Sequence, residues 1–248
     1  MDLDRTEHPQ SQTVLVVAAH PDDEALGCGG TIARHVECGD IVHIVFVAEG
    51  GNAARMNALN EFDKEIDQPN IQHAATEAAG TLGAEPPKFL GFPDNRLDGV
   101  DLLDIVQSVE AIFKDIKPSI VYTHHRGDLN IDHRRTHEAV LTACRPLPDV
   151  RIAAIYGFEV LSSTEWSLRG DSGQFAPNKF VDITSQLNKK IRCLECYNSE
   201  MRPFPHPRSR EAVQALATVR GTTAGLVAAE AFSVIREINY PGIWLKRC

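Results

Sequence analysis

Two periods run along the chain. Thr13–Ala19 and Ile41–Ala48 are short runs of β-branched and small apolar residues with almost no polar alternation. Such runs predict strands buried on both faces, as in a parallel sheet. Between them, Thr31–Cys38 carries Ile32 and Val36 at helical spacing, with Thr31 placed to cap its start and Gly39 its end. Strand, loop, helix and strand within about 35 residues predict a βαβ unit. Asn70–Leu82 predicts an Ala-rich helix and Pro87–Phe92 a short strand. Leu102, Ile105, Val106, Val109, Ile112, Phe113 and Ile116 form one helical stripe. Ser119–Thr123 repeats the buried-strand pattern and runs into His124 and His125.

The second half is less regular. Arg151–Val160 and Phe180–Ile183 predict strands, and Thr184–Tyr197 predicts a helix with Lys189, Lys190 and Arg192 outward. Arg202–Arg210 is a Pro-rich loop, and Ser209–Arg220 with Thr223–Phe232 predicts a helix pair. The alternation predicts an α/β fold, a Rossmann-like, doubly wound, mainly parallel sheet flanked by helices. No repeat or linker interrupts it, so residues 1–248 are expected to form a single domain.

Composition narrows the function classes. The 248 residues are 43% hydrophobic and 24% charged, which excludes disorder as the dominant state. No apolar run approaches the roughly 18–20 residues of a membrane span, and no apolar leader is visible at the N-terminus. A formal net charge of −9 disfavours nucleic acid as a partner. Six cysteines in a chain of this length suggest reduced thiols and a cytoplasmic setting. Cys193 and Cys196 have no second pair and sit in a predicted helix, so they read as packing residues. Gly27, Gly29 and Gly30 miss the dinucleotide-loop spacing and follow acidic residues, which disfavours nucleotide binding.

Ligands on doubly wound sheets bind beyond the carboxyl ends of the strands. His20–Glu24, Glu49–Arg55, Pro93–Arg96 and His124–His137 should therefore converge. His20-Pro21-Asp22-Asp23-Glu24 places an imidazole and three carboxylates in five residues. Alone, that also describes a polar turn in which Asp22 or Asp23 caps a helix. The second cluster sharpens it, running from His124 through Asp128, Asn130, Asp132 and His133 to His137. Zinc suits imidazole nitrogen with carboxylate oxygen, and a catalytic site keeps three protein ligands and an open position. His20, Asp23 and His133 can supply that set, with Asp22 left beside it to act on a bound water. His137 shares a helical face with His133 and is expected on the helix surface. His35, His43 and His73 are expected to be structural or solvent-facing.

Ala19-His20-Pro21-Asp22-Asp23-Glu24 and Asp132-His133-Arg134 resemble the two-part signature of the LmbE-like, or PIG-L-like, zinc-dependent de-N-acetylases. Leu90–Asp94, Cys196–Ser209, Gly221 and Ala229–Phe232 extend the resemblance over nearly the whole chain. It implies His20, Asp23 and His133 as ligands of Zn2+, or of another first-row divalent ion, and Asp22 as general base. It places Glu24 behind the site and gives Asp132 an orienting role. Many members carry a histidine three residues before the distal ligand, where this chain has Asn130. Asparagine can donate to an oxyanion but cannot carry a proton as an acid. His206, flanked by Pro205 and Pro207, is the favoured substitute, ahead of His125 and His124. Arg55 and Asp94 are the substrate-binding candidates, with Arg96 and Arg134 behind them. The implied reaction is removal of acetyl from an N-acetylated amino sugar or its conjugate, a small-molecule partner. The alternatives are an amidase acting on a larger amide of a glucosamine-linked thiol conjugate, and a non-catalytic metal-binding protein. The resemblance also implies a possible homo-oligomer.

Overall fold

The computed structural model describes residues 11–49, 71–148, 150–167, 173–241 and 243. The strands are β1 (Thr13–Ala18), β2 (Ile41–Ala48), β3 (Lys88–Phe92), β4 (Ile120–His124), β5 (Ala154–Phe158), β6 (Lys179–Asp182) and β7 (Ala229–Glu237). The helices are α1 (Asp23–Glu37), α2 (Ile71–Leu82), α3 (Leu102–Ile116), α4 (Ile131–Ala143), α5 (Leu187–Cys196) and α6 (Arg210–Thr223). The seven strands form one sheet in the order β3-β2-β1-β4-β5-β7-β6. β1 to β5 run parallel to one another, and β7 runs antiparallel to both β5 and β6.

Alternation along β1 divides the core. Val14, Val16 and Ala18 face a layer containing α1, α2 and α5. Leu15 and Val17 face α3 and α4. Both faces are covered, which is why the strand is apolar throughout. The order reverses between β1 and β4, because β1 leads on to β2 at one side while β4 leads on to β5 at the other. That switch opens a crevice at the strand ends carrying His20 and His124. Among the described residues, no helix is long and apolar enough to cross a membrane.

Three expectations are corrected. Residues 223–232 are not a second helix, since α6 ends at Thr223 and β7 starts at Ala229. Gly225, at φ +74, ends the helical path, and pairing on both sides of β7 overrides alanine's preference for helix. Lys190 is not outward but buried, because Glu230 on β7 lies 2.6 Å from its ammonium. His137 is buried rather than on the helix surface, and its Nδ1 donates to the His124 carbonyl at 2.8 Å.

Candidate active site

β1 ends against a sharp turn. Asp22 adopts φ 112 and ψ −27, a left-handed conformation that L-residues avoid. The turn is fixed from within. Asp22 N donates to Glu24 Oε2 at 3.1 Å, and the Tyr197 hydroxyl donates to Glu24 Oε1 at 2.6 Å. Glu24 thus sits behind the turn, fully buried. Burial pushes its carboxyl up to about 7, against the opposing hydrogen bonds from Tyr197 and Asp22.

Asp23 is the centre of the cluster, with its carboxylate completely buried. Its Oδ2 accepts from His20 N at 2.8 Å and lies 3.3 Å from both His20 Nδ1 and His133 Nε2. Burial acts to raise its carboxyl, but the surrounding imidazoles of His133, His124 and His20 hold it well below the usual carboxylate range. His20, Asp23 and His133 each offer a ligand atom within 4.8 Å of the others. Asp23 Oδ1 and His133 Nε2 are buried without a hydrogen-bond partner. Unsatisfied buried acceptors in a two-imidazole, one-carboxylate set fit a divalent first-row cation.

Each imidazole is gripped from behind by a carboxylate. His20 Nε2 lies 3.0 Å from Asp132 Oδ2 and 3.1 Å from Asp94 Oδ1. Asp132 is itself fixed, since its Oδ1 accepts from Leu97 N at 3.0 Å. His133 Nδ1 lies 3.1 Å from Asp128 Oδ1, close enough for an ion pair but not aligned as a hydrogen bond. Asp128 accepts from Thr164 Oγ1 at 2.5 Å, from Asn130 N at 2.8 Å and from the Ser163 hydroxyl. Burial acts to raise the Asp128 carboxyl, but the adjacent His133 imidazole and the hydrogen bonds of Ser163 and Thr164 outweigh it and lower it to about 2.

Asp22 stands apart from this set. Its Oδ2 is 2.7 Å from an Arg208 guanidinium nitrogen. Burial raises its carboxyl well above the usual range, and the Arg208 charge opposes that shift. Arg208 also donates to Ser162 Oγ at 2.8 Å and to Glu200 Oε2 at 3.2 Å. This arginine was not a sequence candidate. The Pro-flanked segment was singled out for His206, and the residue two positions later makes the contact. His206 Nδ1 instead accepts from Arg208 N at 3.0 Å, which holds the loop in shape.

The remaining candidates fall into place around this centre. Asn130 caps α4, its Oδ1 accepting from Asp132 N at 2.8 Å. His124 Nε2 accepts from Ala19 N at 2.8 Å, and its ring stacks on His133 at 4.0 Å. Burial drives its pKa well down, so it is a neutral wall rather than a proton carrier. His125 Nε2 is 2.6 Å from the Gly173 carbonyl. Arg134 is held on the carbonyls of Asp128 and Leu129, both at 2.6 Å. Asp94 reaches the site through His20, and Arg55 lies outside the described residues.

Comparison with known proteins places the chain among relatives. The family model PIG-L, GlcNAc-PI de-N-acetylase, matches residues 15–144. The chain is similar to the uncharacterized deacetylase YaiS of Escherichia coli K12, 31% identical over 192 residues covering 75% of this chain and 90% of YaiS. It is 25% identical over 243 residues to a 1D-myo-inositol 2-acetamido-2-deoxy-alpha-D-glucopyranoside deacetylase of Mycolicibacterium smegmatis, covering 81% of this chain and 84% of that enzyme. The fold is similar to that of GalB, a 4-carboxy-2-hydroxymuconate hydratase of Pseudomonas putida, with TM-score 0.72 and 23% identity over 93% of this chain and 98% of the hydratase. The matched segment spans just over half of the sequence and contains both the His20–Glu24 turn and His133, and the chain belongs to the PIG-L family.

Proposed function

We propose that this protein is a metal-dependent N-deacetylase that removes acetyl from an N-acetylated amino sugar or its conjugate. The observation that carries the reading is the convergence of His20, Asp23 and His133 on one point, with Asp22 beside them and held by Arg208 instead. A structural metal site has no use for that second, separately held carboxylate. His20, Asp23 and His133 would hold Zn2+, or another first-row divalent ion, which would supply Lewis-acid polarisation of the acetyl carbonyl and acidify a water.

The chain's own residues do the rest. Asp22 accepts the proton of the attacking water and returns it to the leaving amine. Arg208 orients the Asp22 carboxylate and favours its ionised form. Asp132 and Asp94 fix the ring of His20, and Asp128 fixes that of His133, so both imidazoles are pre-oriented. Asn130 uses its side-chain oxygen for the cap, leaving the amide Nδ2 as its donor to the carbonyl oxygen as charge develops. His206 Nδ1 accepts from the Arg208 amide, and the residue has the task of shaping the loop that carries Arg208.

The test is an acetate-release assay on the zinc-loaded protein, with N-acetylglucosamine and its glycosides bearing neutral and anionic aglycones. Asp22→Asn should abolish release while leaving metal content unchanged, and Asp23→Asn should lose the metal. Amine release without acetate from larger acyl amides would move the reading to the alternative amidase. Hydration of an unsaturated dicarboxylate with no amide cleavage would overturn it in favour of a hydratase.

A further inference from the structure

α1 is continuous in outline but broken inside. Cys28, at φ −146 and ψ 21, is not helical. An unbroken helix would bond Gly30 N to the Leu26 carbonyl. Here a buried ion pair contacts both groups across the break. Lys190 Nζ donates to Leu26 O at 2.7 Å and to Glu230 Oε1 at 2.6 Å. Gly30 N donates to the same Glu230 Oε1 at 2.9 Å, and Thr31 N to Oε2 at 2.7 Å. The side chains of α5 and β7 therefore bridge the two sides of the break in α1, and Glu230 caps its second half at two amides.

The pair is almost fully enclosed, with 5% and 4% of its side chains exposed. The helix is also close to its neighbours. A Cβ at Gly30 would lie 2.8 Å from Ile183, and one at Gly29 would lie 3.5 Å from the Lys190 stem. The segment N-terminal to the break is about one turn long. It carries Asp23 and Glu24 and is suspended between the end of β1 and this pair.

We infer that Lys190 and Glu230 are positioning residues for the site: they splice the broken helix and set the angle at which its first turn presents Asp23. The inference rests on the metal-site reading of Asp23. It also assigns a task to Ala229–Phe232, the segment of the sequence pattern that the reaction itself leaves unused.

A plain structural role and a positioning role separate in one comparison. Lys190→Met and Glu230→Gln each leave a buried partner unpaired and should lower thermal stability. The double variant Lys190→Met/Glu230→Leu removes both charges and should recover most of that stability. It cannot rejoin the Leu26 carbonyl to Gly30 N. Its Zn2+ affinity, read by competition with a chromogenic chelator, should therefore stay about 10–100-fold below wild type, the range for loss of groups that orient a ligand. Amide exchange at Gly30 and Thr31, read without metal, should be at least about ten-fold faster than in wild type. Wild-type exchange at those two amides, or wild-type zinc affinity in the double variant, overturns the splice. A wild-type protein that binds no zinc refutes the metal-site reading instead, and the exchange rates still decide the splice.

Discussion

Gly27→Ala should destabilise the protein and loosen the site together. Gly27 lies one residue before the break in α1. A Cβ there would sit 2.4 Å from Phe158 Cδ2, 2.8 Å from Cγ and 3.0 Å from Cε2. Carbon contacts relax near 3.5–4.0 Å, so something must move by about 1 Å. Phe158 has little room to yield. Its side chain is fully buried, its backbone pairs with β4 and β7, and its ring packs on His124 at 4.7 Å. Overpacking of this kind costs about 1–3 kcal/mol, against a gain of about 0.5–1 kcal/mol from replacing glycine in a helix. Taking the middle of each range, the net loss is about 1.25 kcal/mol, and at roughly 2–4 °C per kcal/mol the melting temperature should fall by about 2–5 °C. Gly80→Ala is the matched control. Gly80 is an exposed position within α2, and nothing lies within 4 Å of its added Cβ. The same substitution there should raise the melting temperature by about 1–4 °C. Calorimetry of both metal-free variants reads the difference. Zinc competition should show weaker binding only in Gly27→Ala, because a displaced Phe158 presses on His124 and through it on His133. A Gly27→Ala protein that melts at or above wild type refutes the argument.

Other expectations follow from the same geometry. Asp128→Asn should weaken zinc binding by about 10–100-fold without unfolding the chain, and unchanged affinity would show that His133 needs no clamp. Asp128 also predicts an acid limb. Its carboxyl is lowered from 3.8 to about 2 in the folded chain, so its contribution is full above 3.8 and is lost as pH falls through about 2. Urea midpoints of the metal-free protein between pH 5 and pH 2 should therefore fall less steeply in Asp128→Asn than in wild type; parallel curves would sink this. Arg208→Gln should reduce kcat by more than it changes zinc content, and steady-state kinetics with metal analysis would expose the opposite pattern. Tyr197→Phe removes the hydroxyl on Glu24 and should cost about 1–3 kcal/mol in urea unfolding.

The parallel half of the fold is legible because its signals are local. β1, β2 and β4 are continuous apolar runs, and the α3 stripe repeats at helical spacing within one segment. The metal-like set is legible for the same reason, since His20 and Asp23 lie in one turn and His133 follows the next strand of the crevice. Asn130 follows a familiar local rule too, being a capping residue directly before a helix. What escaped depends on partners far away in sequence. Lys190 is polar by every periodic rule, and only Glu230, forty residues later, makes it an interior residue. Arg208 reaches Asp22 across 186 positions. Its neighbour His206 drew attention because histidine chemistry is conspicuous, whereas an arginine in a Pro-rich loop carries no local mark. β7 escaped because alanine reports helix preference and says nothing about two waiting strand edges.

The adjacent aspartates show how two identical side chains acquire different duties. Asp22 and Asp23 differ by one position, yet the left-handed backbone at Asp22 sends their carboxylates to different surroundings. Asp23 meets imidazoles and is held ionised, a state suited to a cation. Asp22 meets burial and one guanidinium, which pull its proton in opposite directions. Environments that drive neighbouring titratable groups apart are how a site assigns one to binding and the other to proton transfer. The strain of the turn, of order 1–3 kcal/mol, is offset by the bonds around it: Glu24 on the Asp22 amide, Tyr197 on Glu24, and Arg208 on the Asp22 carboxylate. The turn is thus set by residues that never enter the ligand set, and the division of labour between the two carboxylates depends on all three.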